Sequence, residues 1–322
     1  MMWDLLLPCG LALAVLLAVL FAFADTDFLL ALYEKFGKDC GSLSGKVVWI
    51  TGASSGIGEH IAYCLAKSGC RLVLTARRVE ELERVKQACI SQGPNSAALE
   101  KNILVLPLDV VHFHKHREAV QTVLEHFGQI DILVNNAARG QFAEWIKVEL
   151  DVDRELFETN VLGPVSLSQE VVPHMIKRGG GQIVVTSSMA GKMGLPGARS
   201  YTGSKHAIHG YFESLRTEMA GKNIEVTLIC PGPTFSQLYL TAATERLGET
   251  LGLRMEKTQK RMSTSRCAYL SCVAMANQVS EAWIMQQPVL LTAYIIQYAP
   301  VLGRWLLKKF GPKQVQKIRE GK

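Results

Sequence analysis

The chain has 322 residues, of which 48% are hydrophobic and 20% charged, so it can bury one large core and its composition excludes a disordered protein. The net charge is +6, and residues 304–322 carry all of it, with seven lysines and arginines against one glutamate. A basic strip confined to one end favours an anionic lipid surface over nucleic acid, so we expect no nucleic acid partner. A tail that only keeps the protein soluble is the alternative.

The eight cysteines show no metal-ligand spacing, so we expect free thiols and no metal site.

Residues 5–24 are the first predicted element, a run of twenty residues without a charge. A helix rises about 1.5 Å per residue, so this run just spans a hydrocarbon core of roughly 30 Å. A cleaved signal peptide is the alternative, but the run is longer than the usual signal and no basic residues precede it. We therefore expect a single uncleaved anchor over 1–26, in the endoplasmic reticulum membrane, and a polar linker over 27–45. The flanking charges do not predict an orientation.

From residue 46 onward, short β-branched runs alternate with stretches of helical period, which predicts βαβ units. The predicted strands are 46–51, 71–75, 103–108, 130–135, 182–187 and 225–230. The predicted helices are 58–68, 79–91, 115–127, 151–177 and 199–220. The fold class is therefore α/β, a Rossmann-like doubly wound parallel sheet over 46–280, preceded by the N-terminal membrane helix.

Two further segments follow the last predicted strand. Residues 231–262 lack a clean period and stand where open α/β sheets place a mobile loop over the substrate, and 263–277 then predict a helix. Within the C-terminal extension 281–322, the apolar stretch 288–307 is interrupted by Gln297, Pro300 and Arg304. That stretch predicts an element that dips into a membrane or packs in a dimer, with an ordinary structural helix as the alternative.

A glycine-rich turn, TGASSGIG, follows the first predicted strand and opens a helix. Glycines let the backbone approach a pyrophosphate closely, and the amide groups at the helix start meet its charge. Steric demands of a tight turn are the alternative explanation. The expected dinucleotide contacts in this turn are Gly52, Ser54, Ser55, Gly56, Ile57 and Gly58.

The second predicted strand ends with Ala76, followed by Arg77 and Arg78. An NAD enzyme places an acidic side chain at this point to accept a hydrogen bond from the ribose 2′-hydroxyl. Alanine cannot do so, whereas two arginines can bind a 2′-phosphate through charge-assisted hydrogen bonds. The sequence therefore predicts NADP(H) as the cofactor, with ordinary solvated arginines as the alternative.

Polar residues also follow the later strands. We expect Asp109 to hold the adenine and Asn135 to brace the backbone beside the cofactor, since strand ends line the ligand crevice. Both could instead cap a turn. The turn after the sixth predicted strand adds four expected cofactor contacts, although prolines there also suit a structural turn: Pro231, Gly232, Thr234 and Ser236.

The constellation that carries the predicted chemistry is Ser188 with Tyr201 and Lys205. Residues four apart share a helix face, so the Lys205 ammonium is expected to lower the pKa of the Tyr201 phenol from about 10 toward the operating pH. Tyr201 would then be the general acid or base, and Ser188 would bind the substrate oxygen. Tyr201 and Lys205 are also expected to contact the cofactor, with Lys205 holding the nicotinamide ribose. Asn160 could hold a water behind Lys205, or could simply satisfy a helix bend.

Together, TGASSGIG, the NNA strand end, Asn160, Ser188 and YxxxK resemble the short-chain dehydrogenase/reductase superfamily over about 46–280. A closer likeness to one membrane-anchored member extends over nearly the whole chain. The resemblance implies a catalytic tetrad of Asn160, Ser188, Tyr201 and Lys205, a homodimer, and lipophilic substrates such as steroids, retinoids or xenobiotic carbonyls. Ala138 departs from the family pattern, which has glycine there, and we expect the chain to tolerate it.

These observations predict an NADP(H)-dependent oxidoreductase that interconverts carbonyl and alcohol groups of small lipophilic molecules, with reduction favoured. The alternative is an NADP-binding membrane scaffold without turnover. Oxidation of a sterol or retinol alcohol remains open, because cofactor ratios in the compartment decide the direction.

Overall fold

A computed structural model describes residues 21–92, 100–256 and 259–319. Within them, seven parallel strands form one sheet in the order β3-β2-β1-β4-β5-β6-β7. The strands are β1 (Val47–Thr51), β2 (Arg71–Thr75), β3 (Ile103–Val105), β4 (Ile132–Asn135), β5 (Gly181–Thr186), β6 (Ile224–Pro231) and β7 (Glu281–Ile284). The strand order reverses between β1 and β4, which opens a crevice at the carboxyl ends of the strands. The predicted Rossmann-like doubly wound sheet is confirmed.

Helices cover both faces of the sheet. They are α1 (Phe28–Phe36), α2 (Gly56–Lys67), α3 (Val79–Gln92), α4 (His116–Phe127), α5 (Leu150–Phe157), α6 (Gly163–Arg178), α7 (Arg199–Glu218), α8 (Leu238–Thr241), α9 (Thr264–Ala276), α10 (Val289–Tyr298) and α11 (Pro300–Arg319). Side chains alternate along a strand, so Val48 and Ile50 of β1 pack on the face with α2 and α9, whereas Val47 and Trp49 pack on the face with α4, α6 and α7. Burial on both faces explains why the strands are continuous apolar runs.

The long helix predicted over 151–177 is interrupted. Helix α5 ends in a π-helical turn, Glu158–Leu162, before α6 begins. At the start of α6 the backbone passes very close to its neighbour, because a Cβ on Gly163 would lie 2.9 Å from the carbonyl oxygen of Val110. The π turn carries Asn160, so the bend places that side chain inside the fold.

The polar linker predicted over 27–45 is wrong. That segment forms α1 and a 3₁₀ turn, Cys40–Leu43, both packed on the domain. The Asp27 carboxylate accepts hydrogen bonds from the backbone N–H of Leu30 at 2.9 Å and from that of Trp283 at 2.7 Å, which caps α1 and ties it to β7. Leu30 is fully buried, so α1 contributes to the core.

The domain boundary predicted at residue 280 is also wrong, because β7 begins at Glu281 and extends the sheet to a seventh strand. The predicted apolar stretch 288–307 divides into α10 and α11 at Ala299 and Pro300. In the ranges that the structure describes, no helix has both the length and the apolar character needed to cross a membrane. The predicted anchor over 5–24 lies outside the described residues except for its last four positions.

Candidate active site

The glycine-rich turn lies tightly against the end of β4. Gly52 has a left-handed backbone (φ 66°), and a Cβ there would lie 2.8 Å from Cα of Ala137. A Cβ on Gly58 would lie 2.4 Å from the carbonyl oxygen of Gly52. Ser55 caps α2 without a side-chain hydrogen bond, which leaves the first amide groups of the helix available to an anion. Gly56 faces Ser236, since a Cβ on Gly56 would lie 3.6 Å from the Ser236 Cβ.

The two arginines after β2 have different surroundings. Arg78 donates a hydrogen bond from Nη2 to the Ser54 hydroxyl at 3.2 Å, at the edge of the glycine turn. The Arg77 side chain is 77% exposed and lies 3.9 Å from the Asp109 carboxylate, which also accepts from the Val111 N–H. Arg78 and Ser54 could therefore hold a phosphate together, while Arg77 lies further out.

Asn135 does not brace the backbone beside the crevice as expected. Its side chain is buried and donates to the Ser168 hydroxyl on α6 at 2.9 Å. The next residue does the bracing: Asn136 Nδ2 donates to the carbonyl oxygen of Thr51 at 3.1 Å, and Asn136 Oδ1 accepts from the Thr186 hydroxyl at 3.2 Å. Sequence reasoning missed Asn136, although it stands in the same NNA motif, because side-chain direction at a strand end is not visible in the sequence.

Ser188 and Tyr201 meet at the carboxyl edge of the sheet. Ser188 follows β5, caps a short 3₁₀ turn (Met189–Gly191) and accepts from the Ala190 N–H at 3.1 Å. Its hydroxyl also lies close to the phenol of Tyr201, which stands in the first turn of α7. Burial raises the pKa of Tyr201 to about 12, although the nearby Ser188 hydroxyl opposes this shift. This direction is opposite to the expected lowering of the phenol pKa, because desolvation disfavours the phenolate.

Lys205 is buried and its ammonium donates to the carbonyl oxygen of Thr186 at 2.8 Å. The same Nζ lies 5.7 Å from the centre of the Tyr201 ring, so the predicted shared helix face brings the two side chains together. Burial lowers the pKa of Lys205 to about 8. An amine in this state carries a positive charge at neutral pH and loses it in mild alkali.

Asn160 contacts the catalytic helix through Ser204, the residue before Lys205. Its Nδ2 donates to the Ser204 hydroxyl at 3.0 Å and to the carbonyl oxygen of Arg139 at 2.9 Å, and its Oδ1 accepts from the Arg139 N–H at 2.8 Å. The side chain is thus bonded to protein groups on each side. It fastens the segment after β4 to α7.

The segment after β6 folds over the crevice. Gly232 donates to the Ile284 carbonyl at 2.8 Å, and Thr234 forms a bridge with Met262. Further along, Phe142 donates to the carbonyl oxygen of Ala243 at 2.8 Å. These backbone bonds fasten the segment predicted as a mobile loop at both of its ends. Pro231, which ends β6, completes the set of expected cofactor contacts that lie along this edge.

Comparison with known proteins agrees with this geometry. The profile of the family described as short chain dehydrogenase matches residues 46–247. The chain is 44% identical to Dehydrogenase/reductase SDR family member 7 of Homo sapiens, covering 100% of this chain and 95% of that protein. Identity to the Mus musculus protein of the same name is 42%, covering 99% of this chain and 95% of that one.

Two solved structures have the same fold. A short-chain dehydrogenase from Streptomyces avermitilis superposes with a TM-score of 0.67 at 26% identity, covering 85% of this chain and 98% of that one. An alcohol dehydrogenase from Thermococcus sibiricus, complexed with 5-hydroxy-NADP, superposes with a TM-score of 0.65 at 24% identity, covering 76% of this chain and 97% of that one. The closer likeness expected over nearly the whole chain is confirmed, and the chain belongs to the short-chain dehydrogenase/reductase family of oxidoreductases.

Proposed function

We propose that this protein is an NADPH-dependent reductase of small lipophilic carbonyl compounds. The observation that carries the proposal is the contact of the Ser188 and Tyr201 hydroxyls beside a buried Lys205, at the same sheet edge as the glycine-rich turn. Bound NADPH would supply the hydride. The chain supplies the rest: it binds and orients the reactants, excludes water and delivers a proton.

The residues fit a dinucleotide with a 2′-phosphate. A Cβ at Gly52 or Gly58 would collide with neighbouring backbone, so this tight turn requires glycine at both positions. A turn of this kind lets a pyrophosphate approach the backbone closely. Arg78 donates to the Ser54 hydroxyl at 3.2 Å, and both groups can bind a phosphate oxygen. The acidic side chain that an NAD enzyme has at this strand end would repel the 2′-phosphate.

Tyr201 is proposed to donate the proton. A phenol whose pKa is raised to about 12 by burial is protonated at neutral pH, so it can give a proton to a carbonyl oxygen as negative charge develops there. Ser188 donates a second hydrogen bond to that oxygen, and the Lys205 ammonium stabilises the phenolate left behind. The same geometry runs in reverse with an alcohol, but a protonated resting phenol favours reduction.

Apolar side chains over the crevice support a lipophilic substrate. The rings of Phe142 and Tyr239 lie 6.4 Å apart, on the segment after β4 and on α8, and a Cβ on Gly140 would lie 3.0 Å from the Leu238 side chain. The Arg261 guanidinium lies 5.0 Å from the centre of the Tyr239 ring, a cation–π contact that orients the ring. Flat, apolar carbonyl compounds such as steroids, retinoids and xenobiotic ketones match this lining.

A membrane-facing surface supports association with the endoplasmic reticulum membrane, together with the anchor predicted over 1–26. Helices α10 and α11 expose large apolar side chains next to basic ones: Leu291, Tyr298, Val301, Leu302, Trp305 and Phe310 beside Arg304, Lys308 and Lys309. Helix α1 exposes Phe28, Leu29, Leu32 and Phe36. The two apolar surfaces adjoin, because the Tyr294 hydroxyl of α10 accepts from the Phe28 N–H at 3.2 Å. Such a surface beside a bilayer suits a lipophilic substrate.

A homodimer is proposed through the helices that carry Asn160 and Tyr201. Apolar side chains on their outer side are exposed, with Leu162 at 39% and Tyr211 at 50%. Sedimentation of the detergent-solubilised protein would show a dimer, and a monomer at micromolar concentration would contradict this proposal.

One assay tests the activity. Full-length protein is mixed with a panel of steroid, retinoid and xenobiotic carbonyls, with NADPH and NADH in parallel, and consumption of the reduced nucleotide is followed. We expect turnover with NADPH that Tyr201→Phe abolishes and that Tyr269→Phe, at an exposed position of α9, leaves intact. Tight NADPH binding with no turnover on any carbonyl would instead favour the NADP-binding scaffold.

A further inference from the structure

A second, partly buried polar cluster lies next to the segments that carry Ser188 and Lys205. In it, His209 of α7 approaches the Ser187 hydroxyl with Nε2 at 3.0 Å and the Glu281 carboxylate of β7 with Nδ1 at 3.4 Å. Lys192 pairs with the same carboxylate at 3.0 Å. The Cys230 thiol of β6 lies 3.7 Å from His209 Nε2. The chemistry described above uses none of these side chains.

Glu281 decides which ring nitrogen of His209 carries the proton. Burial opposes ionisation of Glu281, but hydrogen bonds from His209, Trp283 and Lys192 outweigh it and lower the pKa to about 2. An ionised carboxylate only accepts hydrogen bonds, so the facing Nδ1 must be protonated. In that tautomer, the Nε2 lone pair faces the Ser187 hydroxyl at 3.0 Å and the Cys230 thiol at 3.7 Å.

This bonding joins the two segments that carry the reacting groups. Ser187 immediately precedes Ser188, and His209 lies one helical turn after Lys205 on the same face of α7. The turn that follows Ser188 packs directly on the ring, since a Cβ on Gly191 would lie 2.8 Å from His209 Nε2. The imidazole thus spans the gap between the end of β5 and the middle of α7.

We propose that His209, in the tautomer set by Glu281, is a positioning residue that fixes the Ser188 hydroxyl relative to the Tyr201 hydroxyl. This inference rests on the proposed reductase activity. His209 touches neither reacting atom, so its loss is expected to slow the chemical step and to leave substrate and cofactor binding almost unchanged. Glu281 acts one step further away, by orienting His209.

Two other uses of the cluster fit less well. Ser187, His209 and Glu281 resemble the serine, histidine and acid of a hydrolase, but Gly191 lies directly against the Ser187 hydroxyl, since a Cβ on Gly191 would lie 2.6 Å from Ser187 Oγ. Donor atoms of His209, Cys230 and Glu281 lie within 4.8 Å of one another, which suggests a metal site. Lys192 already pairs with the Glu281 carboxylate at 3.0 Å, so the carboxylate charge that a divalent ion would need is already balanced.

A spectroscopic test needs no turnover. In the full chain labelled with ¹⁵N-histidine, the His209 signals are assigned by their disappearance in His209→Gln. We expect the Nδ1-protonated tautomer in the wild type and its loss in Glu281→Gln. The Nε2-protonated tautomer in the wild type, or a tautomer that Glu281→Gln does not change, would overturn the assignment.

A kinetic test asks whether the tautomer matters for the reaction. His209→Leu is expected to lower kcat about 10- to 100-fold while KM and the Kd for NADPH change less than about 2-fold. His209→Gln keeps an amide near the Nε2 position and should recover most of kcat. The control is His206→Leu, since His206 is exposed and bonds only the Thr202 carbonyl of its own helix.

The outcomes separate this inference from the proposed activity. A parallel rise in KM, or equal losses in His209→Leu and His209→Gln, contradicts the positioning role. Stoichiometric zinc in the purified protein, together with loss of kcat when the zinc is chelated, would contradict the positioning role and indicate a metal site at His209, Cys230 and Glu281. If the wild type turns over no carbonyl, the proposed activity fails, and the tautomer measurement still decides whether Glu281 orients His209.

Discussion

The two halves of the crevice handle charge in opposite ways. On the catalytic side, Lys205 is 2% exposed and Ser188 8% exposed, and burial shifts the pKa of both Tyr201 and Lys205. On the nucleotide side, the Arg77 side chain is 77% exposed, and Arg78 meets a serine hydroxyl at the rim of the glycine turn. Burial tunes a proton donor, whereas an exposed guanidinium keeps its charge and is free to pair with a phosphate. Proton transfer and recognition of the 2′-phosphate are therefore assigned to different parts of the same sheet edge.

The largest effect should come from the buried side. Tyr201→Phe removes the proton donor and leaves the ring in place, so we expect kcat to fall about 10³-fold or more. The Kd for NADPH, measured by fluorescence titration, should change less than about 3-fold, because the main hydrogen bond of the phenol hydroxyl is to the substrate oxygen. A comparable loss of NADPH affinity would show that the two halves are not separate.

Burial of the Lys205 charge should be visible in stability. Its pKa falls from 10.5 in the unfolded chain to about 8 in the folded one, so the unfolded chain binds the proton more tightly between these values. The resulting cost to folding is full below pH 8 and disappears as the pH rises toward 10.5. Relative to Lys205→Met, the wild-type free energy of unfolding should therefore rise by roughly 2–3 kcal/mol from pH 7 to pH 10.

Urea unfolding at several pH values measures this difference. Tyr201 is common to both proteins, so its own titration cancels. Parallel pH profiles for the wild type and Lys205→Met would mean that Lys205 is not desolvated, and the contrast between the two halves would then fail.

Substitution of the exposed arginines should change the affinity for NADPH and the dependence of that affinity on salt. Arg78→Ala is expected to weaken NADPH binding about 10- to 100-fold, with NADH binding unchanged, because only the 2′-phosphate loses a charge-assisted bond. Arg77→Ala is the matched control and should cost less than about 3-fold. The Arg78 effect should shrink in high salt. Equal losses for NADPH and NADH would contradict selection by Arg78.

The smallest effect concerns Ala138, which stands where the family has glycine. In the described chain, the left-handed non-glycine residues are Asn223 and Gln278, so Ala138 has an unstrained backbone, and its side chain is exposed. Ala138→Gly should change kcat and the Kd for NADPH less than about 2-fold. A clear gain in NADPH affinity would show that the methyl group crowds the cofactor after all.

Local patterns in the sequence were sufficient for much of the fold and for part of the site. Apolar runs alternating with helical periods predicted the parallel sheet, because burial on both faces leaves a distinctive signature in single strands. The glycines of the turn could be recognised as well, since a close backbone approach excludes a Cβ. The four-residue spacing of Tyr201 and Lys205 predicted their shared helix face, which the 5.7 Å contact confirms.

Features that depend on distant partners were decided only by the tertiary structure. Helix α1 and strand β7 escaped prediction because Asp27 and Trp283, which join them, stand 256 positions apart. The same holds for the choice of Asn136 over Asn135, for the direction of the Tyr201 pKa shift, and for the contact of His209 with Glu281. A local pattern records what each segment needs to bury, but desolvation and hydrogen bonding depend on which segments meet.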